Sequence, residues 1–151
     1  MAQEEQYQIP VFLINGQLDS GKTSFISDTI EMGQFEEAKN KLLIVCEEGE
    51  EEYDEKMLKD NGVSMVVLEK EEFTEAKLKE LDKQYDPWVV IVEYNGMWDP
   101  ALIFDTTKPF GWEIYQSITI IDAMTFSNQW ANMKSIMAEM VKNVDMVVFN
   151  R

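Results

Sequence analysis

The segment Gly16-Gln17-Leu18-Asp19-Ser20-Gly21-Lys22-Thr23 fits the pattern G-x-x-x-x-G-K-[ST]. Residues of these types at this spacing suit phosphate chemistry. The glycines let the backbone curl so that successive N–H groups converge on an anion, and a helix starting near Lys22 turns the positive end of its dipole toward the same point. In such a loop Gly16, Ser20, Gly21, Lys22, Thr23 and Ser24 line the phosphates of a nucleoside triphosphate. Lys22 reaches the β- and γ-phosphates, and Thr23 offers its hydroxyl oxygen to Mg2+. A glycine turn between strand and helix also matches the pattern by accident, so the flanking residues decide. Here Val11-Phe12-Leu13-Ile14 precedes the loop, and the helically spaced Phe25, Ile26 and Ile30 follow it.

A second constellation is Val89-Val90-Ile91-Val92-Glu93-Tyr94-Asn95-Gly96, an apolar run ending in an acid with a glycine just beyond. An acid at such a strand end holds magnesium through water, and the glycine N–H meets the γ-phosphate. Many buried strands end in a solvated Glu before a turn Gly, so this pattern takes its meaning from the loop at 16–23. Lys22, Glu93 and Gly96 are then the residues expected to act on the γ-phosphate, by electrostatic positioning for attack by water; no side chain stands out as a general base. At the last positions, Val147-Val148-Phe149-Asn150-Arg151 runs an apolar stretch into Asn and a basic residue. By itself such an ending carries no meaning. In guanine-specific NTPases, however, this strand leads into Asn-Lys-x-Asp, which assigns Asn150 to the nucleotide. The chain stops before the acid that reads the guanine edge, and we therefore expect a domain truncated at its C-terminal end.

The elements that must position these residues are legible as short apolar runs: 11–14, 42–45, 63–68, 88–92, 118–121 and 146–149. They read as strands buried on both faces. Between most of them lie stretches of helical spacing: Phe25, Ile26 and Ile30; Leu78, Leu81 and Tyr85; and Trp130, Met133, Met137, Met140 and Val144. The alternation predicts an α/β fold of the P-loop NTPase kind, a mainly parallel sheet with helices on both faces, in which ligands sit beyond the carboxyl ends of the strands. Residues 94–112, with Pro100 and Pro109 among them, read as one long irregular loop. The methionines of the last helix read as packing, and the acidic run at 47–52 as a solvated face.

The whole chain, 1–151, is long enough for one core and too short for two ordinary domains. A formal net charge of -16 repels a nucleic-acid backbone almost everywhere, so no nucleic acid is expected as partner. It does not oppose a triphosphate held by backbone N–H groups, one lysine and Mg2+. Cys46 is the single cysteine and there is no histidine, which excludes an internal disulfide and a Cys/His metal site. The first residues are acidic and polar where a signal peptide is basic and then apolar, and no apolar run reaches the length of a membrane span. No membrane partner is expected, and the cytoplasm is the default location.

Taken together, the motifs resemble the CobW-type GTPases, relatives of cobalamin-synthesis and metal-chaperone proteins, from Val11 to Arg151. The loop at 16–23 matches the family's Walker A segment. Cys46-Glu47-Glu48-Gly49 stands where the family has Asn-Asp/Glu-Phe-Gly, and Glu93-Tyr94-Asn95-Gly96-Met97-Trp98-Asp99-Pro100 is similar to its Glu-Thr-Ser/Thr-Gly-Leu-Ala-Asp-Pro segment. Ile118-Thr119-Ile120-Ile121-Asp122-Ala123 resembles the strand with a Val-Asp-Ala ending, and Asn150-Arg151 begins the guanine motif with Arg in place of Lys. The resemblance implies GTP with Mg2+, with Glu47 near the metal as a switch residue, and Asp122 supporting the site or capping the next helix. One departure is plain. Metal-handling members carry Cys-x-Cys-Cys after the third strand, where this chain has Leu68-Glu69-Lys70-Glu71-Glu72, so a metal-chaperone role does not carry over.

The expectation is thus a magnesium-dependent, GTP-binding and GTP-hydrolysing switch controlling a client protein or a cofactor-assembly step. The metal would meet Thr23, Glu93 and Glu47. A degenerate P-loop domain, binding partners through the acidic surface and the aromatics between Trp98 and Trp112, is the alternative, kept open by Tyr94-Asn95 in place of the family's Thr-Ser/Thr. A small-molecule kinase is a weaker one, because its lid needs arginines and Arg151 is the only one here.

Overall fold

In a computed structural model of the chain, the described residues are 8–17, 20–46, 52–99, 101–107, 111–132, 134–135, 138 and 144–150. Along the chain run β1 (Ile9–Gly16), α1 (Lys22–Glu31), β2 (Lys41–Val45), α2 (Glu55–Asp60), β3 (Val63–Val67), α3 (Glu75–Tyr85), β4 (Val89–Glu93), α4 (Ala101–Thr107), β5 (Trp112–Asp122), α5 (Phe126–Asn132) and β6 (Met146–Asn150). A short 3-10 turn, Lys70–Glu72, precedes α3. The strands form one sheet in the order β3-β2-β4-β1-β5-β6, and each pairing is parallel. This is an α/β P-loop NTPase fold, as the alternating pattern predicts.

Two apolar layers sandwich the sheet. On one face Ile26 and Ile30 of α1 and Met57 and Leu58 of α2 pack over Ile14, Leu43, Ile91, Ile118 and Ile120. On the other, Leu78 and Leu81 of α3 and Ile103 of α4 cover Val11, Leu13, Leu42, Ile44, Val90 and Val92. The side chains of β2 and β4 are buried along their whole length, which is why their sequences run apolar without alternation. β3 and β6 depart from that expectation. They are the two outer strands of the sheet and each leaves apolar side chains exposed, among them Val67 and Phe149. A run of valines and methionines looks alike in the middle and at the edge of a sheet, because position in the sheet is a tertiary property.

The expected long loop at 94–112 is also corrected. It contains α4, anchored by Ile103, and its end is the first residue of β5. Trp112 is buried and donates its indole N–H to Asp82 Oδ1 of α3 at 2.9 Å. Trp98 packs edge-on against Tyr94 and Phe73 and so, like Trp112, joins the core, whereas Phe104 of α4 is 43% exposed. Of the proposed methionine helix, Trp130 lies on α5, whereas Met133, Met137 and Met140 are outside the described residues.

Helix beginnings differ in a way that matters for the site. Asp54 caps α2 by accepting from the N–H groups of Lys56 and Met57, and Thr74 caps α3 through Lys77 N–H at 3.2 Å. At α1 the cap position is Gly21, with φ at 103°, and no side-chain hydrogen bond caps the turn. Its first turn also holds no acid. The first-turn N–H groups and the helix dipole face the loop after β1.

Candidate functional site

β1 lies at the centre of the order reversal, paired with β4 on one side and β5 on the other. Its register sets Ile14 beside Glu93, and Gly16 beside Ile120 of β5. Because parallel strands end together, the carboxyl ends of β1 and β4 bring the glycine loop and the acid of the second motif to one place.

Lys22 is 3% exposed, and its ammonium donates to the carbonyl of Gly16 at 2.7 Å. The lysine therefore folds back across the mouth of its own loop. Thr23, on the first turn of α1, donates its hydroxyl to Glu93 Oε1 at 3.0 Å. Glu93 is 3% exposed, so this carboxylate sits at the floor of the site rather than in bulk water. Gly96 presses on the loop from the far side: a Cβ at that position would collide with the backbone carbonyl of Gly16 and come within 3.2 Å of Gln17 N. Only hydrogen fits there. Gly16 and Gly21 both adopt positive φ, 149° and 103°, which L side chains rarely take.

Asn150, at the end of β6, donates its side-chain N–H to the carbonyl of Ser20 at 3.2 Å and crowds Gly21 so closely that a Cβ there would strike its amide. The structure thus gathers Gly16, Ser20, Gly21, Lys22, Thr23, Glu93, Gly96 and Asn150 around one loop. Ser24 lies on the same turn of α1 with its side chain exposed. Glu47 lies outside the described residues.

One participant carries no signal in the sequence. Tyr53, just ahead of the cap of α2, donates its phenolic hydroxyl to Glu93 Oε2 in a short hydrogen bond. The carboxylate therefore receives a hydroxyl on each oxygen, from Thr23 and from Tyr53. Burial first, then the negative charge of Glu93 and the hydrogen bond to it, push the Tyr53 phenol well above its ordinary value of 10.0. A tyrosine between an acidic run and a helix cap resembles no motif, and its partner lies 40 residues away.

The residues that replace the family's Thr-Ser/Thr are structural tethers. Tyr94 is fully buried and donates its hydroxyl to the carbonyl of Asp99 at 2.6 Å. Asn95 donates to the carbonyl of Cys46 at 3.4 Å and accepts from Met97 N at 2.9 Å, tying the turn after β4 to the end of β2. Asp122 accepts from Met124 N at 2.9 Å and so caps the turn leading into α5.

The donor set suits a phosphate with a hard cation. Ser20 Oγ is buried and has no hydrogen-bond partner among the described residues, an arrangement that is costly unless another group comes to it. The uncapped start of α1 offers N–H groups to an anion. Thr23 and Glu93 supply oxygen atoms of the kind magnesium prefers.

Among known protein families, residues 10–151 match the model described as the CobW/HypB/UreG nucleotide-binding domain. No match was found among curated proteins.

Proposed function

The chain belongs to the CobW/HypB/UreG nucleotide-binding family, and from that premise we propose that it binds GTP with magnesium at this site and hydrolyses it slowly, as a switch governing a client protein. Nucleotide binding follows from the family; the identity of the base, the metal and the hydrolysis are our reading. The observation that carries it is the buried Glu93 carboxylate receiving the Thr23 hydroxyl at the head of an uncapped helix. A carboxylate and a hydroxyl paired there have no packing purpose that an apolar pair would not serve better.

Each residue has a task. The N–H groups at the start of α1 and around Gly21 hold the phosphates, with Ser20 Oγ as a further polar contact. Lys22 exchanges its neutral acceptor, the Gly16 carbonyl, for phosphate oxygens, since a charge-assisted bond is the stronger one. Thr23 and Glu93 would hold magnesium, directly and through water. When bound, magnesium neutralises charge building on the phosphate oxygens. Gly96, whose backbone abuts Gly16, brings its N–H to the γ-phosphate. Asn150, bonded to the carbonyl of Ser20, is the residue we assign to the nucleotide at the end of β6. These residues orient and stabilise charge, and a water is the attacking group; turnover is therefore slow until a partner completes the site.

The reading is tested by incubating the protein with γ-labelled GTP or ATP and magnesium. Free phosphate released from GTP supports a hydrolase. Label transferred to a second molecule would make it a kinase, and intact triphosphate bound without release would make it a binding module.

A further inference from the structure

Glu93 has two oxygens, and the site uses them unequally. Oε1 accepts the Thr23 hydroxyl, a bond that survives when the same hydroxyl oxygen turns a lone pair to a cation. Oε2 is the oxygen left for a metal-bound water, and the Tyr53 phenol donates to it. A phenol O–H offers the carboxylate what a coordinated water offers it, one short charge-assisted hydrogen bond. The Thr23 hydroxyl holds the other oxygen of the same carboxylate, so the two hydroxyls meet on Glu93. Magnesium would keep several of its waters, and a water held by it would compete with the phenol for Oε2.

We propose that Tyr53 plugs the magnesium subsite, its phenol standing on Glu93 in the place of a metal-bound water, so that loading of the metal and nucleotide expels it. This rests on the reading of the site as a magnesium–triphosphate site. The root of the plug is fixed: Asp54 caps α2, and Met57 and Leu58 anchor that helix in the core beside α1. Expulsion therefore swings the Tyr53 side chain outward about a stationary helix. The surface ahead of α2 then differs between the empty and the loaded protein, and a client has something to recognise. The plug also gives the buried carboxylate a hydrogen bond on Oε2 when no metal-bound water is there.

Two measurements on the full chain test this. The first is the magnesium concentration for half-maximal binding of a fluorescent GTP analogue, in the parent protein, in Tyr53→Phe and in Tyr53→Leu, with melting temperatures recorded alongside. Removing the phenolic donor should lower that midpoint roughly tenfold, about 1.4 kcal/mol. The second places 3-fluorotyrosine at Tyr53 alone and follows its fluorine resonance, which should move toward the exposed-tyrosine position when GTP and magnesium are added together. An unchanged or raised midpoint in Tyr53→Phe overturns the plug, as does a resonance that stays put in the loaded protein. A lowered melting temperature with the parent's midpoint means Tyr53 is structural only. A parent protein that binds no nucleotide at any magnesium concentration overturns the magnesium–triphosphate reading together with the plug, whereas normal magnesium-dependent binding with equal midpoints removes the plug alone.

Discussion

At the scale of single residues, the site depends on a few atoms that admit no replacement. Gly96 is the clearest: a methyl there meets the backbone carbonyl of Gly16, which cannot turn away without distorting the loop. Gly96→Ala should destabilise the protein by about 1–3 kcal/mol, the usual cost of overpacking, and weaken nucleotide binding at least tenfold by the same distortion. Chemical denaturation and nucleotide titration of the same preparation read both effects. Tyr94 carries a pH signature. Burial first, then the negative potential of Cys46 and Asp99, raise its phenol above the ordinary 10.0. A raised folded value means the stabilisation is complete below about pH 10 and is lost as pH rises further, because the unfolded chain releases its proton first. Parent stability should therefore fall above pH 10 more steeply than that of Tyr94→Phe, by about 1.4 kcal/mol per pH unit. Equal slopes would show that the phenol ionises alike in both states. What the sequence offered at this scale was motif pattern: the loop at 16–23 and the acid ending the second motif, which the structure joins through the Thr23–Glu93 hydrogen bond. Tyr53 was not legible, since its role comes from a contact across 40 residues with no local pattern to mark it.

Among the elements, strand periodicity and helix spacing carried most of the fold, and the misreadings have physical causes. Runs at β2 and β4 look apolar because both faces are covered, whereas β3 is nearly as apolar while lying at an edge. Hydropathy records what a strand can bury and not which neighbours it finds. α4 was hidden in an expected loop because it is a single short helix behind Pro100, held by the core contact of Ile103 rather than by strong periodicity. The difference between centre and edge is measurable. Ile91, 1% exposed in β4, should cost about 2–5 kcal/mol when cut to Ala. Val67, 42% exposed on β3, should change stability by less than about 0.5 kcal/mol when replaced by Thr. Urea denaturation of the two variants checks the contrast, and similar losses at both positions would contradict the sheet order described here.

The whole molecule combines a net charge of -16 with a site for a polyanion, and the two are reconciled by locality. Long-range repulsion is screened over about 8–10 Å at ordinary salt, while the N–H groups at the head of α1 and the ammonium of Lys22 act at contact distance. An ammonium 3% exposed is also less screened than any surface charge. Affinity must therefore come from contacts within the site, the loop and its magnesium ligands, rather than from the surface field. The most direct measurement is calorimetric titration of GTP, in magnesium, into the parent protein and into Lys22→Ala. The parent should show saturable one-to-one binding that is lost without magnesium, and the variant an affinity lower by more than a hundredfold, about 2.7 kcal/mol, with its melting temperature little changed. Equal affinities for parent and variant, or binding indifferent to magnesium, would contradict the magnesium–triphosphate reading of the site.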